Sequence, residues 1–169
     1  IPDFRSPGGL YSKLCPELLT ATKDQQRMMQ MDPSCVVSYD IFSQNQFPYL
    51  EVRRPFIIGT FDKRWKPTLA HYFFRLLSDK GLLRRLYTQN IDGLHLDTGV
   101  PDANLVHVHG SLAKIKCEFC GAAFPHSDFL HHVRTKIRNI YDPSDTSTTI
   151  DSHALNCLQC YQPGIKPNT

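Results

Sequence analysis

The sequence predicts an α/β fold with a small zinc module attached to it. An amphipathic helix at 67–81 runs directly into a short apolar strand, and a second apolar strand follows at 105–108. Helix followed by strand is the repeating unit of a sheet that has helices packed against it. Two identical Cys-x-x-Cys pairs further along the chain predict the zinc module.

The composition is that of a folded protein with one domain, or with one domain and a small satellite. The chain has 169 residues, is 41% hydrophobic and carries a net charge of +3 from 19 basic and 16 acidic side chains. Because this charge is mild and no apolar run is long enough to cross a bilayer, we expect no direct binding to nucleic acid and no membrane span. Cysteines at metal-ligand spacing favour a reducing, intracellular compartment.

The first third of the chain gives weaker signals. Residues 1–12 combine prolines and glycines with Phe4 and Tyr11, and they are predicted to form a loop. The polar, Met-rich stretch within residues 13–36 predicts a short exposed helix or a flexible insert. Residues 41–58 predict one short helix and its connections.

The clearest element is the helix near Pro67, because its apolar residues recur at spacings of three and four. Pro67 suits the first helical turn and Gly81 suits the C-terminal cap. Residues 82–87 then predict a strand that ends at Thr88-Gln89, and the second strand ends at His109-Gly110. The stripe of the helix consists of Leu69, Tyr72, Phe73, Leu76 and Leu77.

Two polar clusters come directly after these predicted strands, Gln89-Asn90-Ile91-Asp92 and His109-Gly110-Ser111. Open α/β sheets bind ligands at the carboxyl ends of their strands, so both clusters are candidate binding residues. Amide groups beside a carboxylate suit the hydroxyls of a ribose or the carboxamide of a nicotinamide. A histidine at a strand end suits a general base.

Each cluster also has a simpler interpretation. Asn90 or Asp92 could cap the next helix instead of binding a ligand. His109 could be a structural residue, and His107, two positions earlier, would lie on the same face if the strand continued to residue 109.

The four paired cysteines predict a structural zinc site. Zn²⁺ prefers four tetrahedral ligands, and two Cys-x-x-Cys turns supply them with no open position for catalysis. The intervening 36 residues exceed the usual ribbon spacing of roughly 15–20 residues, and unliganded structural or reactive thiols are the alternative. The predicted ligands are Cys117, Cys120, Cys157 and Cys160, with His126, His131, His132 and His153 as possible competitors in the insert.

Taken together and in this order, the motifs resemble those of the sirtuin family, and their form is most similar to the eukaryotic deacetylase branch. The resemblance spans nearly the whole chain. It rests on Ile1-Pro2-Asp3-Phe4-Arg5-Ser6-Pro7, Gly9-Leu10-Tyr11, Lys66-Pro67-Thr68 with His71, Gly81-Leu82-Leu83, Tyr87-Thr88 continuing through the 89–92 cluster to Gly93-Leu94, His109-Gly110-Ser111, the four cysteines and Lys166-Pro167.

The resemblance implies a partial Rossmann-like NAD-binding domain at 1–111, with a cofactor loop and a small helical insert. It implies a zinc-ribbon module at 112–163 and a return to the Rossmann-like domain at 164–169. It also implies roles for individual residues. Asp3, Phe4, Arg5 and Tyr11 would line the NAD pocket, Gln89 and Asn90 would contact the nicotinamide ribose, Ile91 and Asp92 would hold the carboxamide, and His109 would be the general base.

The activity implied is NAD-dependent deacetylation of protein lysines, in which the acyl group passes to ADP-ribose and nicotinamide is released. The expected partners are acylated proteins, with histones and tubulin as possibilities, and the expected compartment is the nucleus or cytoplasm, with the mitochondrion also open. Another acyl preference, ADP-ribosyl transfer, or a non-catalytic zinc-ribbon interaction module are the alternatives. The family's Gly-Ala-Gly, Gly-Thr-Ser and Asn-x-Glu motifs do not occur, so we expect the chain to be a piece of a longer enzyme and inactive alone.

Overall fold

A computed structural model describes residue 7 and residues 9–142 and 152–169. The predictions for Asp3, Phe4 and Arg5 lie outside these residues. The α/β class is confirmed. The elements in chain order are α1 (Lys23–Met31), α2 (Tyr39–Gln44), α3 (Phe47–Phe61), α4 (Leu69–Asp79), β1 (Leu86–Thr88), α5 (Leu94–Asp97), β2 (Leu105–His107), β3 (Ser111–Cys117), α6 (His126–Lys136) and β4 (Ile165–Asn168).

Strands β1 and β2 form the parallel pair that the sequence predicts, with Leu86 opposite Leu105 and Thr88 opposite His107. Strand β1 begins later than the predicted residue 82. The backbone N–H groups of Leu82 and Leu83 both donate to the carbonyl of Leu77, so these residues close the preceding helix instead of extending a strand. Strands β3 and β4 form a separate antiparallel pair.

Helix α4 forms where its periodicity predicts, although it begins at Leu69. Thr68 is the N-cap, and its side chain and that of His71 bond reciprocally to the backbone, so Pro67 precedes the helix. Gly81 has a φ of +67°, the left-handed conformation expected after a helix end. The predicted apolar stripe is exposed: no residue of α4 is buried, and Leu69 is 86% exposed.

The prediction of one short helix at 41–58 was wrong, since α2 is followed by the fifteen-residue helix α3. Nine residues of α3 are buried, and they face several directions. A helix buried on most sides has no polar stripe to reveal its period. Pro48 lies in its first turn and Pro55 lies inside it, which further obscured the helix in the sequence.

The Met-rich insert is helical and only partly exposed. Thr22 and Gln25 form a capping box that starts α1. Met29 is fully buried, and Gln25 and Gln26 are also buried, so one face of the helix packs against the protein. Residues 23–31 therefore form a helix and not a flexible insert.

Helix α3 lies between two hydrophobic clusters and joins the halves of the molecule. One cluster unites Tyr49, Leu50 and Ile57 of α3 with the β3–β4 pair and α6, while the other unites Val52 and Phe56 with α1 and the N-terminal segment. Helix α6 was not predicted; it lies in the insert between the cysteine pairs and buries Phe129 and Val133. The domain limits at residues 111 and 163 stay a prediction.

Strand β4 lies beside β3, at the start of the zinc module, with Ser111 opposite Asn168 and Cys117 opposite Ile165. Across the residues that the structure describes, no helix is both long and apolar enough to span a membrane.

Candidate functional site

The four predicted zinc ligands converge on one point at the end of β3. The sulfur atoms of Cys117 and Cys160 are 3.6 Å apart, as are those of Cys120 and Cys157, and all four lie within 4.8 Å of one another. Tetrahedral zinc with Zn–S bonds of about 2.3 Å requires sulfur atoms about 3.8 Å apart. The spacing and the donor set therefore fit a Zn²⁺ ion held by thiolates alone.

The two cysteine turns have matching backbone geometry. Gly121 donates its N–H to the carbonyl of Cys117, and Tyr161 donates to the carbonyl of Cys157, each at 3.0 Å. Both Gly121 and Tyr161 have positive φ angles, of 73° and 62°. Each turn thus folds back on its first cysteine, which directs two sulfurs to one side.

Of the four cysteines, Cys157 has the surroundings that most favour the thiolate. Backbone N–H groups of Cys160 and Gln159 stabilise the anion of Cys157 and lower its pKa to about 7. The backbone N–H of Gln162 acts in the same direction on Cys160, but desolvation and contacts with the other three thiols outweigh it and raise the pKa of Cys160 to about 12. A bound dication would favour the anionic form of all four.

The loop formed by residues 89–92 follows β1 and is held against the first residues of β3. Gln89 and Asn90 are exposed, while Ile91 is half-buried and accepts the N–H of Leu112 at 2.7 Å. Gly93, with a φ of +76°, leaves only 3.2 Å between an added Cβ and the side chain of Ala113. A larger residue at position 93 would therefore push the loop away from β3.

Asp92 takes part in local structure, as its simpler interpretation expected. Its Oδ1 accepts the backbone N–H of Leu94 at 2.9 Å, at the start of α5. The carboxylate is half-buried and keeps a second oxygen, so this bond does not prevent ligand binding. The backbone N–H of Asn90 instead donates to the hydroxyl of Thr88 at 3.1 Å.

His109 lies in an exposed turn directly after β2, beside the end of β1. The N–H of Val108 donates to the carbonyl of Thr88 at 3.0 Å, which brings the turn next to the 89–92 loop. Strand β2 ends at His107, so the two histidines do not share a strand face: the side chain of His107 is 9% exposed, whereas His109 faces solvent.

Tyr11 is the remaining predicted cofactor residue that the structure describes. It is half-buried in a 3₁₀ turn at Tyr11–Lys13 and packs against the cluster built on Val52 and Phe56. Nothing in the described residues tests a contact with a cofactor, so its role stays a prediction, as do those of the other site residues.

A grouping that sequence reasoning missed lies near enough to Asp92 of the 89–92 loop to feel its charge. His71 of α4, His95 of α5 and His107 of β2 come together there, and we call them the histidine cluster. Single histidines on three separate elements carry no local signal. Only the packing of α4 against α5, with His71 and His95 ring centroids 4.6 Å apart, brings the first two together.

Comparison with known proteins gives consistent matches. The model of the Sir2 family matches residues 1–169. NAD-dependent protein deacetylase sirtuin-3 of Mus musculus is 40% identical over 129 residues, which are 76% of this chain and 34% of that protein. NAD-dependent histone deacetylase SIR2 of Candida glabrata is 35% identical over 135 residues, 80% of this chain and 24% of that protein.

A solved sirtuin structure, described as showing the structural basis of sirtuin substrate affinity, has the same fold. It superposes with a TM-score of 0.66 at 24% identity and covers 99% of this chain and 53% of that one. The chain thus spans about a third or less of the length of the curated relatives described above.

Proposed function

This chain belongs to the Sir2 family, and from that premise we propose that it carries part of the active site of an NAD-dependent protein-lysine deacetylase. The observation that carries the proposal is the meeting of the 89–92 loop with His109 at the carboxyl ends of β1 and β2. Ligands of open α/β sheets bind at this edge. The relatives named above supply the chemistry that such a site would perform.

The side chains at this edge suit the two ends of a nicotinamide riboside. Gln89 and Asn90 are exposed, and their amides would bond to ribose hydroxyls. Ile91 and Asp92 are half-buried and would hold the carboxamide, whose N–H the free carboxylate oxygen of Asp92 would accept. Asp3, Phe4, Arg5 and Tyr11 would complete the pocket, as the family resemblance implies.

His109 would act as the general base. When bound, NAD supplies a ribose carbon that becomes electrophilic as nicotinamide departs. Its exposed imidazole beside the 89–92 loop would take a proton from a ribose hydroxyl that Gln89 and Asn90 would hold. In the overall exchange the acyl group of acetyl-lysine would pass to a hydroxyl of ADP-ribose, one water molecule from the solvent would be consumed, and the free lysine amine and nicotinamide would be released.

The zinc would be structural. Four thiolates leave no open coordination position, and the cysteine cluster lies at the far end of β3 from Ser111, which follows His109 closely in the chain. Acetylated proteins, histones and tubulin among them, would be the substrates, and the protein would act inside the cell.

The test is turnover of an acetylated peptide with NAD by the intact protein and by its His109→Ala variant. Loss of a general base is expected to lower kcat by about 10²- to 10⁴-fold while zinc content and the thermal midpoint stay unchanged. His131→Ala removes an exposed imidazole from α6 and should leave turnover intact. Equal turnover by the wild type and His109→Ala would remove His109 from its role, and no turnover by the wild type would favour a non-catalytic zinc module.

A further inference from the structure

The histidine cluster is partly buried, and several of its ring nitrogens are buried without a hydrogen-bond partner among the described residues. His95 is 8% exposed and lies between the rings of His71 and Phe74, at centroid distances of 4.6 and 5.6 Å. Among the described residues, none bonds to Nδ1 of His95, Nε2 of His71 or either ring nitrogen of His107. Buried polar atoms without partners destabilise a fold and are rare, so four in one place call for an explanation.

Proton binding is the chemistry that this cluster offers. Burial lowers the pKa of His95, as do His71 and His107, while the charge of Asp92 raises it. Burial and Lys114 lower the pKa of His107, while Asp102 and Asp92 raise it. Nε2 of His107 is 4.0 Å from Asp102, too far for a hydrogen bond. His95 and His107 therefore take up a proton less readily than a histidine in water.

A metal ion explains the cluster less well. Among the described residues, the four cysteines are the only group of three or more His, Cys, Asp or Glu side chains whose donor atoms lie within 4.8 Å of one another. The three imidazoles would have to move to share an ion, whereas a proton needs only one ring nitrogen and a nearby anion.

Asp92 is that anion, and a hydrogen bond links it to the backbone next to His95. Its carboxylate accepts the N–H of Leu94, the residue before His95, at the start of the four-residue helix α5. Its charge acts on both His95 and His107. A change of charge at His95 would therefore alter the electrostatic attraction on the carboxylate of Asp92, which lies three residues earlier in the chain and is bonded to the start of α5.

We propose that His95 is a positioning residue for Asp92. While the histidine cluster is neutral, His95 leaves the carboxylate of Asp92 free for the nicotinamide carboxamide. Once the cluster is protonated, His95 draws that carboxylate away. This inference rests on the proposed function, because it assigns Asp92 to the cofactor. An imidazolium beside Asp92 would become its strongest hydrogen-bond donor and would compete with the carboxamide. NAD binding and proton binding at the cluster then oppose each other reciprocally.

The experiment measures the Kd of NAD for the intact protein by calorimetry between about pH 5.5 and 8. If only the neutral cluster is competent, affinity falls by up to about tenfold for each pH unit below the pKa of the cluster. His95→Gln keeps a polar side chain that does not titrate, and it should flatten this dependence while retaining binding at pH 8. His131→Gln, the same change at an exposed site, should keep the wild-type profile.

The outcomes separate this inference from the proposed function. Absence of NAD binding by the wild type at every pH contradicts the proposed function. Binding with the same pH profile in the wild type and His95→Gln contradicts the role of His95, as does a uniform loss of affinity at every pH. Should His95→Gln fail to fold, NMR titration of wild-type Asp92 serves instead: its carboxylate carbon should report the protonation of His95, and a curve without that step overturns the proposal.

Discussion

Gly110 lies directly against the backbone of Asn168. A Cβ built on Gly110 would be 1.8 Å from the carbonyl oxygen of Asn168, and Gly110 has a φ of +76°. Two causes therefore require glycine here, the left-handed backbone and the close approach of β4. The contact fixes the turn that carries His109 onto the end of the β3–β4 pair.

Gly110→Ala is expected to lower both stability and activity. The backbone must shift to remove the overlap, which costs on the order of 1–3 kcal/mol of unfolding free energy and displaces the neighbouring His109. Chemical denaturation and turnover of an acetylated peptide measure the two effects. Gly81→Ala is the matched control, because Gly81 has a φ of +67° but open space around it. Equal losses in the two variants would show that the contact with Asn168 contributes nothing.

Zinc is expected at one ion per chain, and its removal should unfold the module around it. Structural zinc supplies about 10–16 kcal/mol in small zinc peptides, and here the buried Cys117 and Cys157 belong to the same hydrophobic cluster as Ile115 and Phe129. Metal analysis together with thermal unfolding in a chelator measures both points.

Cys157→Ser should lose the ion and the cooperative transition, since the hydroxyl is a poor ligand beside three thiolates. Cys35→Ser is the control, because Cys35 lies outside the cysteine cluster. A thermal midpoint that chelation leaves unchanged would contradict the structural role of the metal.

The sequence predicted those features whose signal is local. The Cys-x-x-Cys turns and the polar residues after two strands can be recognised directly from their spacing. In the structure the four cysteines converge on one point, and the two polar clusters lie side by side. Helix α3 was missed because its buried residues surround it, and His95 was missed because its neighbours His71 and His107 lie on other elements. The apolar stripe of α4 shows the limit of periodicity: it identifies a face correctly but not what packs on it, and among the described residues that face stays exposed.

A buried carboxyl group joins three distant parts of the chain, and its titration gives a further prediction. Glu51 of α3 is fully buried and accepts hydrogen bonds from the backbone of Thr20 at 2.9 Å and from the hydroxyl of Ser152 at 2.8 Å. Burial raises its pKa above the ordinary value, although the bonds from Thr20 and Ser152 and the charge of Arg138 oppose the change. The folded protein therefore holds this proton at a pH where the unfolded chain has lost it.

Glu51→Gln should consequently gain stability relative to the wild type as pH rises. Below the ordinary pKa both states of the wild type hold the proton; above it the unfolded state ionises first, so the contribution of Glu51 to the free energy of unfolding falls until the raised pKa is passed. Denaturant titrations of both proteins between about pH 4 and 7 measure the difference, and comparison at each pH cancels changes in the zinc site.

Glu17→Gln, at an exposed residue, should show the opposite dependence of stability on pH. The backbone N–H of Glu17 and the amide of Gln30 lower the pKa of that carboxyl, so its replacement should lose relative stability as pH rises. The effect should be smaller than at Glu51, because Glu17 is exposed. The stability difference between Glu51→Gln and the wild type could instead stay constant over the whole pH range. Glu51 would then have the same pKa in the folded and unfolded chains, because its hydrogen bonds would fully offset the effect of its burial.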